Sequence, residues 1–291
     1  MTPLRQKMLD IMHFQNLSHR TCQSYLFSVN TLAQYYDRSP ELITEKETLS
    51  WIMERQKKRD LSPSSVHSLV AGLRFFHNDV LEESEVFLKD MILPRRPKKI
   101  PHLLLQKEVA QIIQCTSNEK HMVILCLCYS CGLRVSELVS VKINDINSES
   151  ELLHVTGKGQ KDRLLPISKT LLELLRHYWK VYRPQDYLFA GRQSGTPLSI
   201  SSAQRVFKKA KELAGINKKI SIHGLRHAYA THQLERGLPI HTLSQYLGHT
   251  DISTTMRYLH WVKDSPVTCA DLLLDIIHEL PTFEEPGHEL F

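Results

Sequence analysis

Residues 223–237, HGLRHAYATHQLERG, and residues 239–249, PIHTLSQYLGH, decide the architecture of the C-terminal part of the chain. Each segment is predicted to form a helix, and each carries a glycine near its C-terminal end, where helices commonly stop. The next residues, LGHTDISTTMRYLH at 247–260, contain a Thr/Asp/Ser turn and a tyrosine. On its own, Tyr258 is most simply a packing residue with its ring half buried. The helix, glycine turn and second helix also fit a helix-turn-helix that reads DNA.

The length and composition of the chain favour two folded domains of a cytoplasmic protein. The 291 residues exceed a typical single domain, and 42% hydrophobic with 23% charged residues is ordinary for a folded protein. No apolar run approaches the roughly 18 residues of a membrane helix. The N-terminal stretch MTPLRQKMLD lacks the apolar segment of a signal peptide. The net charge of +6 points only weakly to a polyanionic partner.

The six cysteines are expected to be reduced thiols, because the chain carries no export signal. Three of them lie in CLCYSC at residues 126–131, a spacing that invites a zinc site. The surrounding stretch is apolar and reads as a buried helix, in which free cysteine behaves as a small hydrophobic residue. We therefore expect no metal at this position.

Capping patterns predict a domain of four helices in residues 1–92. Thr2 precedes a proline at the start of the first helix, and Thr44 and Glu47 have the spacing of a capping box. Further helix starts are predicted at Ser18 and in the stretch SPSS. The apolar residues after each start recur on one helical face, as the core of a small bundle requires.

A basic, proline-rich linker is predicted at residues 93–101, LPRRPKKIP. Its three prolines exclude a helix, and its four cationic side chains stand close together. The segment is expected to be extended and exposed. Two interpretations stay open from the residues alone: a solvated tether, or a tether that lies along a phosphate backbone.

The second domain is predicted at residues 102–265 and mixes helices with a small β-sheet. ELLHVTGKGQKDRLLPIS, residues 151–168, has two apolar segments around a glycine-rich basic turn, which is the pattern of a hairpin. Residues 266–291 are predicted to form an amphipathic helix and an acidic tail. The apolar stripe of this helix needs a surface, either within the same chain or on a neighbouring protomer. The fold class is therefore mainly α with a small β-hairpin.

Polar residues in three further segments have both a structural and a functional interpretation. Arg134 and Glu137 are three residues apart, so an ion pair on one helix explains them. Lys158 lies at the hairpin tip, where lysines are usually solvated but can also reach into a groove to deliver a proton. Arg226 is flanked by histidines on one helical face, and a guanidinium there would bind an oxyanion well.

Taken in order, four segments closely resemble the signatures of the tyrosine recombinases, also called the phage-integrase family. They are GLRVSEL at 132–138, GKGQKDR at 157–163, HGLRHAYATH at 223–232 and LGHTDISTTMRYLH at 247–260. The N-terminal stretch LSHRTCQSYLFSVNTLAQYY is similar to the helical core-binding domain of that family. Residues 102–265 resemble its catalytic domain, most nearly in the Xer-type recombinases and integron integrases. The chain lacks the insertion typical of integron integrases.

The resemblance implies an enzyme that breaks and rejoins DNA through a 3′-phosphotyrosyl intermediate. The implied nucleophile is Tyr258. The implied catalytic arginines are Arg134 and Arg226, which would stabilise the charge on phosphorus without a metal ion. Lys158 would protonate the leaving 5′-oxygen. Because the phosphotyrosyl bond conserves energy, resealing would need no ATP and no cofactor.

The remaining implied site residues support this chemistry. His223 is the expected proton acceptor, and His249 is expected to orient a phosphate oxygen or the incoming hydroxyl. Glu137 matches an acidic position that supports the site. The cations expected to contact DNA are Arg95, Arg96, Lys98, Lys99, Lys161, Arg205 and Lys208.

The expected partner is a double-stranded DNA recombination site, bound by a tetramer on two paired sites, with room for a second recombinase or an accessory protein. Two alternatives remain at this point. A type IB topoisomerase-like enzyme would relax DNA without pairing sites, and a helix-turn-helix regulator would bind DNA without cleaving it.

Overall fold

A computed structural model describes residues 2–58, 61–83, 86–95, 102–157, 162–193 and 195–259. The chain divides into two compact units, residues 1–100 and 101–291. The predicted fold class is confirmed, since both units are built mainly from helices and the second carries a small sheet. Within the described ranges, no helix is long and apolar enough to cross a membrane. The C-terminal helix predicted at 266–291 lies outside the described residues, as do residues 96–101 of the basic linker.

The N-terminal unit contains the four predicted helices. They are α1 (Pro3–Phe14), α2 (His19–Tyr36), α3 (Glu45–Lys57) and α4 (Pro63–Phe75), the last continued by a π-helical turn at Phe76–Val80. The predicted caps form: the side chains of Thr2 and Ser18 accept hydrogen bonds from the first turns of α1 and α2. Thr44 and Glu47 form the capping box of α3. Trp51 and Ile52 are at most 1% exposed in the core of this unit.

The C-terminal unit is built around one helix that is buried along most of its length. Its helices are α5 (Gln106–Gln114), α6 (Glu119–Ser130), α7 (Val135–Ser140), α8 (Lys169–Tyr182), α9 (Ile200–Leu213), α10 (His223–Glu235), α11 (Ile240–Leu247) and α12 (Ser253–Met256). Helix α6 packs against α8 and α10, and its residues 122–129 are all buried. The cysteines of this stretch are part of the core, and burial raises the pKa of Cys126 and Cys128 to about 12.

The small sheet has three antiparallel strands in the order β1 (Ile146–Asn147), β2 (Leu152–Thr156) and β3 (Asp162–Pro166). The pairing of β2 with β3 is the predicted hairpin. Strand β1 has two residues, too few for an alternating pattern to show in the sequence. Val155 pairs with Arg163 and Leu153 with Leu165, so these four side chains share one face of the hairpin. The tip, residues 158–161, lies outside the described residues.

Two glycines close the turns that shape the site. Gly132 follows α6 with φ of 56°, and a Cβ atom there would lie 2.3 Å from Cδ1 of Tyr229. Gly248 ends α11 with φ of 61°, and its Cβ would lie 3.1 Å from Nη1 of Arg163. Both backbones are left-handed, a conformation that glycine adopts without steric cost. The carbonyl oxygen of each glycine accepts a hydrogen bond from an arginine: Gly132 from Arg226 at 2.7 Å and Gly248 from Arg134 at 3.1 Å.

Candidate active site

One carboxylate, that of Glu137, lies at the centre of the site. Glu137 accepts a 2.8 Å hydrogen bond from the backbone N–H of Arg134, the N-cap residue of α7, and a 2.7 Å bond from Nη1 of the same residue. Arg163 reaches it from β3 with two guanidinium contacts of 3.0 and 2.8 Å. Nη1 of Arg226 is 3.8 Å away. Burial alone would raise the pKa of Glu137, but hydrogen bonds and charge from Arg163, together with Arg134, lower it to about 2.

Arg226 is the most deeply buried cation of the group, at 2% exposed. Its Nη1 donates to the carbonyl oxygen of Gly132 at 2.7 Å, and its Nη2 donates to that of Leu247 at 2.5 Å. Burial, followed by the charge of Arg134, lowers its pKa to about 10. The guanidinium is therefore still charged at neutral pH, and its direction is fixed by backbone atoms.

His249 has a defined tautomer because of its partners. Its Nε2 is 3.1 Å from Nη2 of Arg226, and its Nδ1 is 2.7 Å from Oγ1 of Thr255. An arginine only donates hydrogen bonds, so Nε2 must accept and Nδ1 carries the proton that is donated to Thr255. Burial and the charges of Arg226 and Arg134 lower the pKa of His249 to about 4, which keeps the ring neutral.

Tyr258 follows the last residue of α12 by two positions and is 5% exposed, more buried than its sequence context alone suggests. Its hydroxyl is 2.7 Å from Nδ1 of His227. Burial raises the pKa of Tyr258, although Arg226, Arg257 and Arg134 act in the opposite direction. The hydroxyl is therefore protonated at neutral pH and needs an acceptor before it can act as a nucleophile.

Two of the three histidines of α10, His223 and His227, occupy different positions near the site. His223 begins the helix, and its ring meets that of His227 edge-on at 5.4 Å between centroids. Burial, with Arg226 and Arg134, lowers the pKa of His223; burial, with His223 and Arg226, lowers that of His227 to about 4. The sequence motif contains His227, but its spacing assigns it no role. The contact with Tyr258 becomes visible only in the fold.

Arg163 is a site residue that the sequence analysis did not single out. Its Nε donates to the carbonyl oxygen of Tyr246 at 2.7 Å, in addition to its two contacts with Glu137. A signal was present, because Arg163 pairs with Val155, which is 3% exposed. An arginine on the buried face of a hairpin requires an anionic or carbonyl partner.

The remaining predicted residues fall into two groups. Arg95, Arg205 and Lys208 are exposed; Arg205 donates to Oγ of Ser202, and Lys208 lies 3.9 Å from Glu212. The predicted general acid and four further predicted DNA contacts fall outside the described residues: Lys158, Arg96, Lys98, Lys99 and Lys161. Their roles remain predictions.

Comparisons with known proteins cover both units. The family model for the phage integrase family matches residues 102–264, and that for the phage integrase N-terminal SAM-like domain matches residues 4–85. A Sinorhizobium fredii protein named as an integrase/recombinase is 38% identical over 89% of this chain and 84% of its own. A tyrosine recombinase of Pseudothermotoga lettingae is 31% identical over 91% of this chain and 95% of its own.

A solved structure shares the fold. The crystal structure of a lambda integrase tetramer bound to a Holliday junction matches with a TM-score of 0.74 at 16% identity, over 91% of this chain and 79% of that one. At this identity the match supports the fold alone. Since one family model covers more than half of the sequence and a relative aligns along nearly all of it, the chain belongs to the phage integrase family, the tyrosine-type site-specific recombinases.

Proposed function

We propose that this recombinase cleaves DNA with Tyr258, forming a 3′-phosphotyrosyl bond and releasing a 5′-hydroxyl. The observation that carries the proposal is the placement of the nucleophile. The hydroxyl of Tyr258 lies against His227, the residue next to Arg226, and Arg226 holds His249. A phosphodiester placed between Tyr258 and these cations would meet a nucleophile and guanidinium N–H donors together.

The charge of the site suits the transition state better than the substrate. Arg134, Arg163 and Arg226 surround the single carboxylate of Glu137, so these four side chains carry a net charge of two positive. A phosphodiester carries one negative charge, whereas the pentacoordinate species formed when a tyrosyl oxygen attacks it carries two. Interactions that are stronger in the transition state than in the ground state raise the rate. No metal ion, cofactor or ATP has a part in this proposal.

The other roles follow the family resemblance and stay proposals. Lys158 is the proposed general acid for the 5′-oxygen, which is a poor leaving group unless protonated. His249 is proposed to orient a phosphate oxygen, with its tautomer fixed by Thr255. Among the cations proposed to contact the DNA backbone, Arg205 and Lys208 are exposed on α9.

The proposed partner is a DNA recombination site, and the proposed assembly is a tetramer on two paired sites in the cytoplasm. Support comes from the lambda integrase tetramer, whose described state is a complex with a Holliday junction. A second recombinase or an accessory protein is compatible with this assembly. Neither alternative, a relaxing enzyme or a non-cleaving regulator, is favoured by the named relatives.

The test is to trap the covalent intermediate and identify its DNA. Purified protein is incubated with supercoiled DNA from its own genetic neighbourhood, denatured, and any attached DNA is sequenced, with Tyr258→Phe alongside. We expect attached DNA at one site, absent in the variant. A nicked suicide substrate carrying that site then gives the rate. Attachment that persists in Tyr258→Phe would overturn the proposal, as would its absence on the nicked substrate.

A further inference from the structure

We propose that His227, rather than His223, accepts the phenolic proton of Tyr258 as the Tyr258 oxygen attacks phosphorus. The inference rests on the proposed function above and assigns one of its proton transfers. Its starting point is the 2.7 Å contact between Nδ1 of His227 and the hydroxyl of Tyr258. That distance is within the range required of a general base and the proton that it removes.

The state of His227 suits it to this role. Burial, with the neighbouring charges of His223 and Arg226, lowers its pKa to about 4, so the ring is neutral at neutral pH. A neutral imidazole has one acceptor nitrogen. The proposal places the ring proton on Nε2 and the acceptor lone pair on Nδ1, facing Tyr258. A bound phosphodiester would bring negative charge beside Arg226 and thereby raise the proton affinity of the ring.

His249 is unsuited to the same task. Its Nε2 lone pair already accepts a hydrogen bond from Arg226, and its Nδ1 proton is donated to Thr255. To take up a proton, His249 would have to lose its contact with a guanidinium that is 2% exposed. His223 stands one helical turn before His227 and presents its ring to the imidazole of His227. The hydroxyl of Tyr258 is 2.7 Å from Nδ1 of His227, so we assign His227 as the acceptor of this pair.

The proposed step balances in both directions. During cleavage the O–H bond of Tyr258 breaks, the proton passes to Nδ1 of His227, and the phenolic oxygen forms a bond to phosphorus. The bond between phosphorus and the 5′-oxygen breaks, and that oxygen takes its proton from the general acid. During resealing a 5′-hydroxyl attacks phosphorus, and its proton returns to the group that acted as general acid in cleavage. The bond between phosphorus and the tyrosyl oxygen breaks, and that oxygen recovers its proton from Nδ1 of His227.

The first experiment distinguishes a defect in activating Tyr258 from a defect in the groups that bind the phosphate. His227→Asn keeps a polar group near the position of Nδ1, but an amide does not accept a proton near neutral pH. Cleavage is measured as covalent complex formation on the nicked suicide substrate. Ligation is measured with a DNA strand that ends in 3′-p-nitrophenyl phosphate. The 5′-hydroxyl displaces p-nitrophenolate, a weakly basic anion that leaves without being protonated, so this reaction bypasses Tyr258. Tyr258→Phe is the reference variant.

We expect His227→Asn to lower the cleavage rate by at least about 100-fold and to leave ligation near the wild-type rate. Tyr258→Phe should likewise lose cleavage and keep ligation. An equal loss of both reactions in His227→Asn would show that the residue supports the phosphate site or the fold, and would overturn the proposal. Unchanged cleavage would overturn it too. If wild-type protein forms no covalent complex, the proposed function itself fails.

A second variant guards against a folding defect. His227→Ala leaves space for a free imidazole beside Tyr258. We expect added imidazoles to restore cleavage, with a larger effect for the more basic members of the series. A variant that binds and ligates DNA but shows no rescue by any imidazole would contradict the assignment of His227 as the proton acceptor.

Discussion

Glu137→Gln should be among the most destabilising single changes in the C-terminal unit. The substitution keeps an oxygen that can accept the backbone N–H of Arg134, but it removes the charge among three guanidiniums. The side chain of Glu137 is 4% exposed, so solvent replaces little of what is lost. The unpaired cations then repel one another in a poorly screened environment.

The magnitude follows from the pKa of the carboxyl group. Lowering it from 4.5 to about 2 in the folded state corresponds to about 3 kcal/mol of preferential stabilisation of the charged form. Removal of one partner from a buried ion pair costs a similar amount, about 3–5 kcal/mol. We therefore expect Glu137→Gln to lower the free energy of unfolding by about 3 kcal/mol.

Glu108→Gln is the matched control. Glu108 caps α5 by accepting the N–H of Leu105 at 2.7 Å, as Glu137 does for α7, but it pairs with one lysine, Lys218, at 2.6 Å. That lysine side chain is 32% exposed, so the control should cost about 1 kcal/mol or less. The two variants share the cap and differ in the arginine cluster.

The assay is urea denaturation of the full chain, with hydrogen exchange of α6 amides to report on the C-terminal unit alone. Sulfate should restore more stability to Glu137→Gln than chloride does at equal ionic strength, because it can bind between the arginines. Equal losses in Glu137→Gln and Glu108→Gln would refute the reasoning, since the carboxylate would then act only as a cap.

Two further predictions concern packing and pH. Gly132→Ala should lower the free energy of unfolding by more than about 2 kcal/mol, because the new Cβ would meet Tyr229. Gly215→Ala, with φ of 68° and nothing within 4 Å of the new Cβ, should lower it by only about 1 kcal/mol. Equal urea midpoints for the two variants would contradict this expectation. Burial lowers the pKa of His232, which is 5% exposed, from 6.5 to about 4, so the unfolded chain binds its proton first as pH falls. The contribution of His232 to the free energy of unfolding should be fully present above pH 6.5 and should fall by up to about 3 kcal/mol toward pH 4. An unchanged urea midpoint between pH 7 and 4.5 would contradict the assignment.

The local elements of the fold could be predicted because their signals are local. The capping box of Thr44 and Glu47 joins atoms three residues apart, and the hairpin of β2 and β3 pairs neighbouring segments. Such interactions join residues that are close in sequence, so short sequence patterns predict them. Strand β1 was missed because two residues carry no periodicity.

The partners within the site could not be predicted by the same means. The contact of Arg226 with Gly132 spans 94 residues of sequence, and that of Arg163 with Tyr246 spans 83. The family resemblance named Tyr258 and Arg226 but not the histidine that meets the tyrosine hydroxyl. That pairing depends on how α12 returns to α10, which is a property of the packed unit.

The hydrogen bonds from Arg226 to the carbonyl oxygens of Gly132 and Leu247 affect which substitutions the surrounding sequence can tolerate. Every amino acid supplies a backbone carbonyl, so replacing the side chain at position 247 leaves that acceptor chemically unchanged. The orientation of the guanidinium is sensitive to the path of the chain and much less to the identity of the residues along it. Substitution can therefore accumulate around this arginine while its direction is kept, and the vulnerable positions are those, such as Gly132, where a side chain would move the backbone.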